Sequence, residues 1–288
     1  MRFRRGNTTT LSTPRTLLFV AAALVAITTF APGAKAQESE AKLTTPLEDL
    51  RPGITESQVF SELLTRNEGR SAALLGYTSL RTYQVVDMKG KVHAEEVGRM
   101  EYRAPDKKTF VVTSENGSGL IRRLALNRLI ASEIEAASGK QRHDSSITPA
   151  NYTLRLLGEQ QVGPYHCFVA QVTPKRKDKY LFEGKMWVDA QDYAVVRIEG
   201  HPAQKLSFWI ERTDFVRQYQ RIDGFWLPQR DETLVVVRLY GKKALTVTHQ
   251  DYRFSRKIDN SASVQSAWLL SQDRKCRLRR RALSGGNG

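Results

Sequence analysis

The side chains able to do acid–base, nucleophilic or metal chemistry are spread singly along this chain. Its five histidines are His93, His143, His166, His201 and His249, and no two of them stand four residues apart. Without an HExxH pair there is no local geometry for a catalytic zinc. No GxSxG elbow, phosphate loop or GxGxxG turn occurs. Asn116-Gly117-Ser118-Gly119 precedes a helical stretch, where backbone N–H groups can hold an anion. It follows no buried parallel strand and leads to no Lys-Ser/Thr, so it reads as a loop and helix cap. The acids Glu183, Asp189, Asp192, Glu199, Glu211, Asp214, Asp231 and Glu232 are likewise unclustered in sequence. The sequence names no catalytic residue, no metal ligands and no cofactor, and an enzyme is not expected. Cys167 sits in the strand-like run Tyr165 to Val169 and reads as a small buried apolar residue. A bridge from it to Cys276, near the C-terminus, is not expected.

What is concentrated is apolar and aromatic surface. Tyr180, Phe182, Trp187, Tyr193, Phe208, Trp209, Phe215, Phe225 and Trp226 fall within Lys179–Phe254. There Tyr180, Phe182, Met186 and Val188 alternate with Glu183, Lys185 and Asp189, the period of a strand with one apolar face. Trp187, Tyr193, Val195 and Trp209 are read as lying opposite that set, as a second apolar surface able to desolvate a greasy ligand. Each aromatic also has an ordinary reading as core.

The elements that would position this surface are mostly strands. Thr55, with Gln58 three residues on, predicts a capped helix carrying Val59, Phe60, Leu63 and Leu64, loosened near Arg66–Gly69. Strands follow at Tyr77–Asp87, Val92–Arg103 and Lys108–Ser114, then at Asn151–Gly158 and His166–Pro174. Asp189–Asp192 is a polar turn, and Asp223-Gly224 closes a hairpin before Phe225-Trp226-Leu227-Pro228. Between the strands, Leu120–Ala137 predicts an amphipathic helix. Leu120, Leu124, Ala131 and Ile134 are placed on or near its apolar side, joined by Ile121, Leu129 and Ile130, with Arg122, Arg123, Asn127, Arg128 and Glu135 on the other. It reads either as a core helix or as a lid over an open sheet. The residues expected to line an apolar ligand space are Leu120, Leu124, Ile134, Trp187, Tyr193, Trp209, Phe225 and Trp226.

The two ends read differently. Arg2, Arg4, Arg5 and Arg15 precede the apolar run Leu17–Phe30, and Ala34-Lys35-Ala36 fits a small-x-small cleavage site, so residues 1–36 are expected to be a signal peptide and Gln37 the first mature residue. The run is shorter than the roughly 20 residues that span a bilayer. No Cys follows the cleavage site for lipid anchoring. A periplasmic location is expected. Residues 258–288 carry Arg274, Lys275, Arg277, Arg279, Arg280 and Arg281 and end in Gly-Gly-Asn-Gly, a basic tail expected to be disordered. The formal net charge of +15 falls to +10 without the leader and to +5 without the tail from Ser271. That balance, with no basic-aromatic motif, argues against nucleic acid. Residues 37–257 remain as one α+β domain, expected to be a monomer.

This order of elements resembles a known family. The segments NYTLRLLGEQQVGPYHCFVAQVTPKRKDKYLFEGKMWVDAQDYAVVRIEG and SFWIERTDFVRQYQRIDGFWLP carry most of the likeness, after GLIRRLALNRLIASEIEA. The chain is similar over residues 50–257 to the outer-membrane lipoprotein-sorting, or LolA-like, proteins. The resemblance implies an unclosed antiparallel β-barrel with helices covering its concave face. It implies a cavity for acyl chains of a lipoprotein or lipid, a donor or acceptor complex at a membrane, no metal and no covalent chemistry. Carriers of that family use an Arg near the first strands to close a lid. Arg81 stands in a comparable region, and the role is not transferred to it. A regulator binding a membrane-protein partner, built on a related fold, and an exported hydrolase are the alternatives.

Overall fold

The computed structural model describes residues 45–137, 145–178, 180–205, 208, 210–238 and 241–255; the leader, and the tail from residue 258, lie outside them. The first helix, α1 (Glu56–Ala73), begins where Thr55 Oγ1 accepts from the Gln58 N–H at 3.3 Å. Its Val59, Phe60 and Leu63 are buried. It runs unbroken through Gly69, so the expected loosening at Arg66–Gly69 is corrected. Side chains on α1 hold this part in place: Arg70 donates to the Asp192 and Tyr193 carbonyls at 2.9 and 3.2 Å, and Arg66 lies 5.2 Å over the Tyr193 ring.

Three strands follow, β1 (Gly76–Asp87), β2 (Val92–Arg103) and β3 (Lys107–Gly117). A second helical stretch comprises α2 (Gly119–Ile121), a π-helical turn (Arg122–Leu126) and α3 (Asn127–Ala136). Seven strands complete the described chain: β4 (Tyr152–Val162), β5 (Tyr165–Pro174), β6 (Phe182–Asp189), β7 (Val195–Pro202), β8 (Ile210–Ile222), β9 (Phe225–Val237) and β10 (Gly241–Phe254). Asp223 and Gly224 both take positive φ, 49° and 83°, as the tight β8–β9 hairpin requires.

All ten strands form one sheet in the order β3-β2-β1-β10-β9-β8-β7-β6-β5-β4, with antiparallel neighbours throughout. β3 and β4 are the two edges, so the sheet is an unclosed half-barrel. The chain leaves one edge at Gly117 and must re-enter at the other at Tyr152. The second helix lies in this connection and packs against the inner face of the sheet. Register shifts in β1–β2, β2–β3, β4–β5, β6–β7 and β8–β9 supply bulges, the usual source of sheet curvature.

The register identifies the faces, because directly opposed residues point the same way. Glu115, Glu96, Tyr83, Val247, Asp231, Arg217, Ile198, Met186, Ala170 and Leu156 form a row across all ten strands. α1 packs over the Leu156–Ile198 end of this face, with Phe168, Val172 and Val188. The second helix packs over the Tyr83–Val247 end through Ile121, Ala125, Leu126 and Ile130. Both helices therefore cover one face, the inner one.

The outer face carries a smaller cluster of Cys167, Val169, Trp187 and Val196, with Trp187 Nε1 donating to Gln160 Oε1 at 2.7 Å. Tyr193 and Val195 do not join it, contrary to the alternation read from the sequence; both pack with the inner cluster. The register shifts between Trp187 and Val188, so that Val188 opposes Val195 and the extra residue Val196 takes the place beside Trp187. A short N-terminal strap covers the β4 edge. Glu48 bridges to Glu159, whose carboxylate accepts from the Arg51 backbone N–H, Nε and Nη2 at 2.7–3.2 Å.

Candidate functional site

The inner face is not apolar from edge to edge. Strand alternation sends Ser79, Arg81, Tyr83 and Val85 of β1 inward, and all four are buried. Arg81, 1% exposed, sits beneath α3, where its Nη1 donates to Glu133 Oε1. It also donates from Nε to Ser79 Oγ and from Nη1 to the Tyr83 hydroxyl, both at 3.4 Å. The Tyr83 hydroxyl donates to the other oxygen, Glu133 Oε2, at 3.0 Å, and Lys108 Nζ of β3 reaches Oε1 at 3.4 Å. Three donors from two strands thus converge on one carboxylate supplied by the helix. Phe110 stacks edge-on against Tyr83 at 5.4 Å, and its ring lies where a side chain on Gly98 would be.

Burial alone would push the Glu133 carboxyl up, but the charges of Arg81 and Lys108 and the Arg81 hydrogen bond outweigh it and hold the group at about 2. Burial and the neighbouring Glu133 push the Tyr83 phenol up, so it stays a proton donor. Arg81 is pushed up by Glu133 and the tyrosines despite its burial. Next to it across the strand pair, His249 is buried, with Nε2 3.2 Å from Asp231 Oδ2 and Nδ1 lacking a partner among the described residues. Asp231 in turn lies 4.0 Å from Arg217 Nε. A charged seam therefore divides the inner face, with one apolar cluster on each side of it.

The residues read from the sequence as ligand-lining are distributed over the molecule. Leu124 and Ile134 are half-buried against the Tyr83–Val247 cluster. Leu120, at the start of α2, is 41% exposed. The inward side of the helix carries the expected Ile121 and Ile130 together with Ala125 and Leu126; Ala131, also expected there, is exposed, because the π turn changes the phase of the residues after it. Tyr193 is on the inner side, 6.0 Å from the Phe168 ring, while Trp187 is buried on the outer face. Phe225 stacks on Phe254 at 5.1 Å. Trp226 lies 4.7 Å from Tyr165 and donates to Asp192 Oδ2 at 3.0 Å. Trp209 lies outside the described residues. Sequence reasoning missed the Arg81–Tyr83–Lys108–Glu133 cluster. Its available signal was a charged residue on the apolar parity of β1, flanked at two-residue spacing by Tyr83 and Val85.

Among the described residues no group of three His, Cys, Asp or Glu side chains is placed to hold a metal ion. No helix among them is long and apolar enough to cross a membrane. What the fold and site define is an open antiparallel half-barrel with a helix-roofed inner face and a buried ion-pair cluster between roof and sheet. The chain is similar to several solved structures. One is a putative outer membrane lipoprotein-sorting protein domain from Vibrio parahaemolyticus, with 13% identity over 73% of this chain and 99% of that one and a TM-score of 0.41. Another is a DUF1329 family protein from Desulfovibrio piger, with 13% identity over 72% and 95% of the two chains and a TM-score of 0.38. A third is a LolA superfamily protein from Nitrosomonas europaea, with 8% identity over 72% and 97% and a TM-score of 0.34. A family model described as that of an uncharacterized protein matches residues 142–266. No curated protein matches the chain.

Proposed function

We propose that the protein is a periplasmic carrier that shields the acyl chains of a lipoprotein or lipid on the inner face of its half-barrel, beneath the second helix. The observation that carries this reading is the packing of that helix. An amphipathic stretch packs on the inner face of an unclosed sheet and buries Ile121, Ala125, Leu126 and Ile130 against Tyr83, Val85, Val235 and Val247. The same apolar wall would receive an acyl chain when the helix moves aside, with Leu124 and Ile134 at its rim. The signal-like N-terminus supports export, and the resemblance to lipoprotein-sorting proteins supports the cargo class.

Each methylene taken from water contributes on the order of 0.8 kcal/mol. Affinity for a fluorescent acyl probe should therefore rise with chain length and then level off when the wall is covered. Native mass spectrometry of the protein isolated from its own envelope should show an acylated species bound. Negligible affinity that is independent of chain length would overturn the reading.

A further inference from the structure

The carboxylate of Glu133 occupies a site that the sheet builds without it. Arg81 and Tyr83 are fixed on β1 and buried, and Lys108 comes from β3, two strands away. All three point a donor at one place, and only the acceptor belongs to the helix. The carboxylate is also the accessible member of the pair: the Glu133 side chain is 28% exposed and that of Arg81 1%. If the helix lifts to expose the apolar wall, Glu133 leaves with it. Arg81 then keeps Ser79, Tyr83 and its neighbour His249, none of which carries a negative charge. Among the described residues no other acid pairs with Arg81: Asp231 faces His249 and Arg217, and the charges acting on Glu96 are those of Glu115 and Arg122. A guanidinium buried without a counter-charge is costly. An occupant that brought only hydrocarbon would leave it so.

We propose that this site receives the acidic head group of an amphiphilic ligand, a carboxylate or phosphate on an alkyl chain, and that Glu133 is the protein's own stand-in for that group. The inference rests on the acyl-carrier reading and narrows its cargo to anionic amphiphiles. In the closed state Arg81, Tyr83 and Lys108 hold the helix down through Glu133. An entering acid takes over the same donors, releasing the helix as its chain settles on Val85, Val235 and Val247. Latch and ligand thus compete for one set of hydrogen bonds, and cargo without an acid would have to open the latch with no replacement for it.

The test is calorimetric titration of the purified protein with decanoate, decyl phosphate and decanol at neutral pH, below their aggregation limits. Acetate and inorganic phosphate serve as head groups without a chain. The two acids should bind at least about tenfold tighter than decanol, a difference of about 1.4 kcal/mol, and the chainless anions should not displace them. Lys108→Met, on the edge strand, should reduce the ratio of acid to decanol affinity, and Arg81→Met should abolish that preference. Glu133→Gln, which removes the internal competitor, should tighten both acids severalfold more than decanol. Equal binding of acids and decanol, with affinity still rising with chain length, would overturn the head-group site and leave the carrier reading standing. Binding of none of the three would overturn both. Inorganic phosphate competing as well as decyl phosphate would make this a plain anion site and end the amphiphile proposal, as would a Glu133→Gln variant with unchanged or weaker affinity for the acids.

Discussion

Replacing Glu133 by Gln should destabilise the protein by an amount that depends on pH in a defined direction. The folded protein holds this carboxyl at about 2, against an ordinary value of 4.5. That difference corresponds to roughly 3 kcal/mol of charge-dependent stability at neutral pH. It agrees in size with the roughly 3–5 kcal/mol typical of breaking a buried ion pair from one side. Because the folded-state value is depressed, this stability is fully present above about pH 5 and is lost as pH falls from there toward 2. Glu159 is also held at about 2, first by its hydrogen bonds from Arg51, and titrates in the same window. It does so in both proteins and cancels in their difference. Urea unfolding followed by tryptophan fluorescence should show Glu133→Gln less stable by roughly 3 kcal/mol at pH 7, with the gap closing to under about 1 kcal/mol near pH 2.5. A gap that is already small at pH 7, or that persists unchanged in acid, would refute the assignment of the Arg81–Glu133 pair as a charged latch.

Three further outcomes follow from local geometry. A Cβ on Gly184 would lie 2.0 Å from the Glu199 carbonyl oxygen and 2.5 Å from the Gly200 Cα, so Gly184→Ala should cost at least about 2 kcal/mol; in contrast Gly69→Ala, in open space on α1, should gain about 0.5–1 kcal/mol, both read from melting curves. Trp187→Phe leaves Gln160 without its buried indole donor and should cost about 1–3 kcal/mol in denaturant unfolding, with no change in acyl-probe affinity if the outer face plays no part in binding. Arg51→Ala should free the strap from the β4 edge, so amide exchange at Glu48 should accelerate while the β5 and β6 amides stay protected; uniform acceleration would show that the strap is part of the global core.

Much of this architecture is legible in the sequence where local rules act alone. The Thr55 cap, the three strands from Gly76 to Gly117, the Asp223-Gly224 turn and the helical stretch after Ser118 all follow from alternation, turn residues and caps. Faces were harder to assign than elements. A single bulge residue, Val196, moves Val195 to the side opposite the one that strict alternation implies, and Tyr193 precedes β7 in the turn, with φ 48°. Pairing across the fold leaves no local trace at all. Arg81 and Glu133 are 52 residues apart, and they meet because the connection from β3 to β4 crosses the inner face. Trp187 and Leu124 are alike in being large and apolar. The sheet's register puts Trp187 on the outer face, whereas Leu124, on the second helix, is half-buried against the Tyr83–Val247 cluster.

The π turn between Arg122 and Leu126 acts as a phase setting for everything downstream. One residue of helix corresponds to about 100° of rotation. In an unbroken α-helix Ile121 would share its face with positions 125, 128 and 132, which are Ala125, Arg128 and Ser132. The wider turn lets Leu126 follow Ile121 inward, then Ile130, and so brings Glu133 round to Arg81. Deleting a single residue from this turn would keep every side chain of α3 yet point its acid away from the sheet. Five residues of wide helix thus function as a vernier, and the latch can be put out of alignment without altering any residue that forms it.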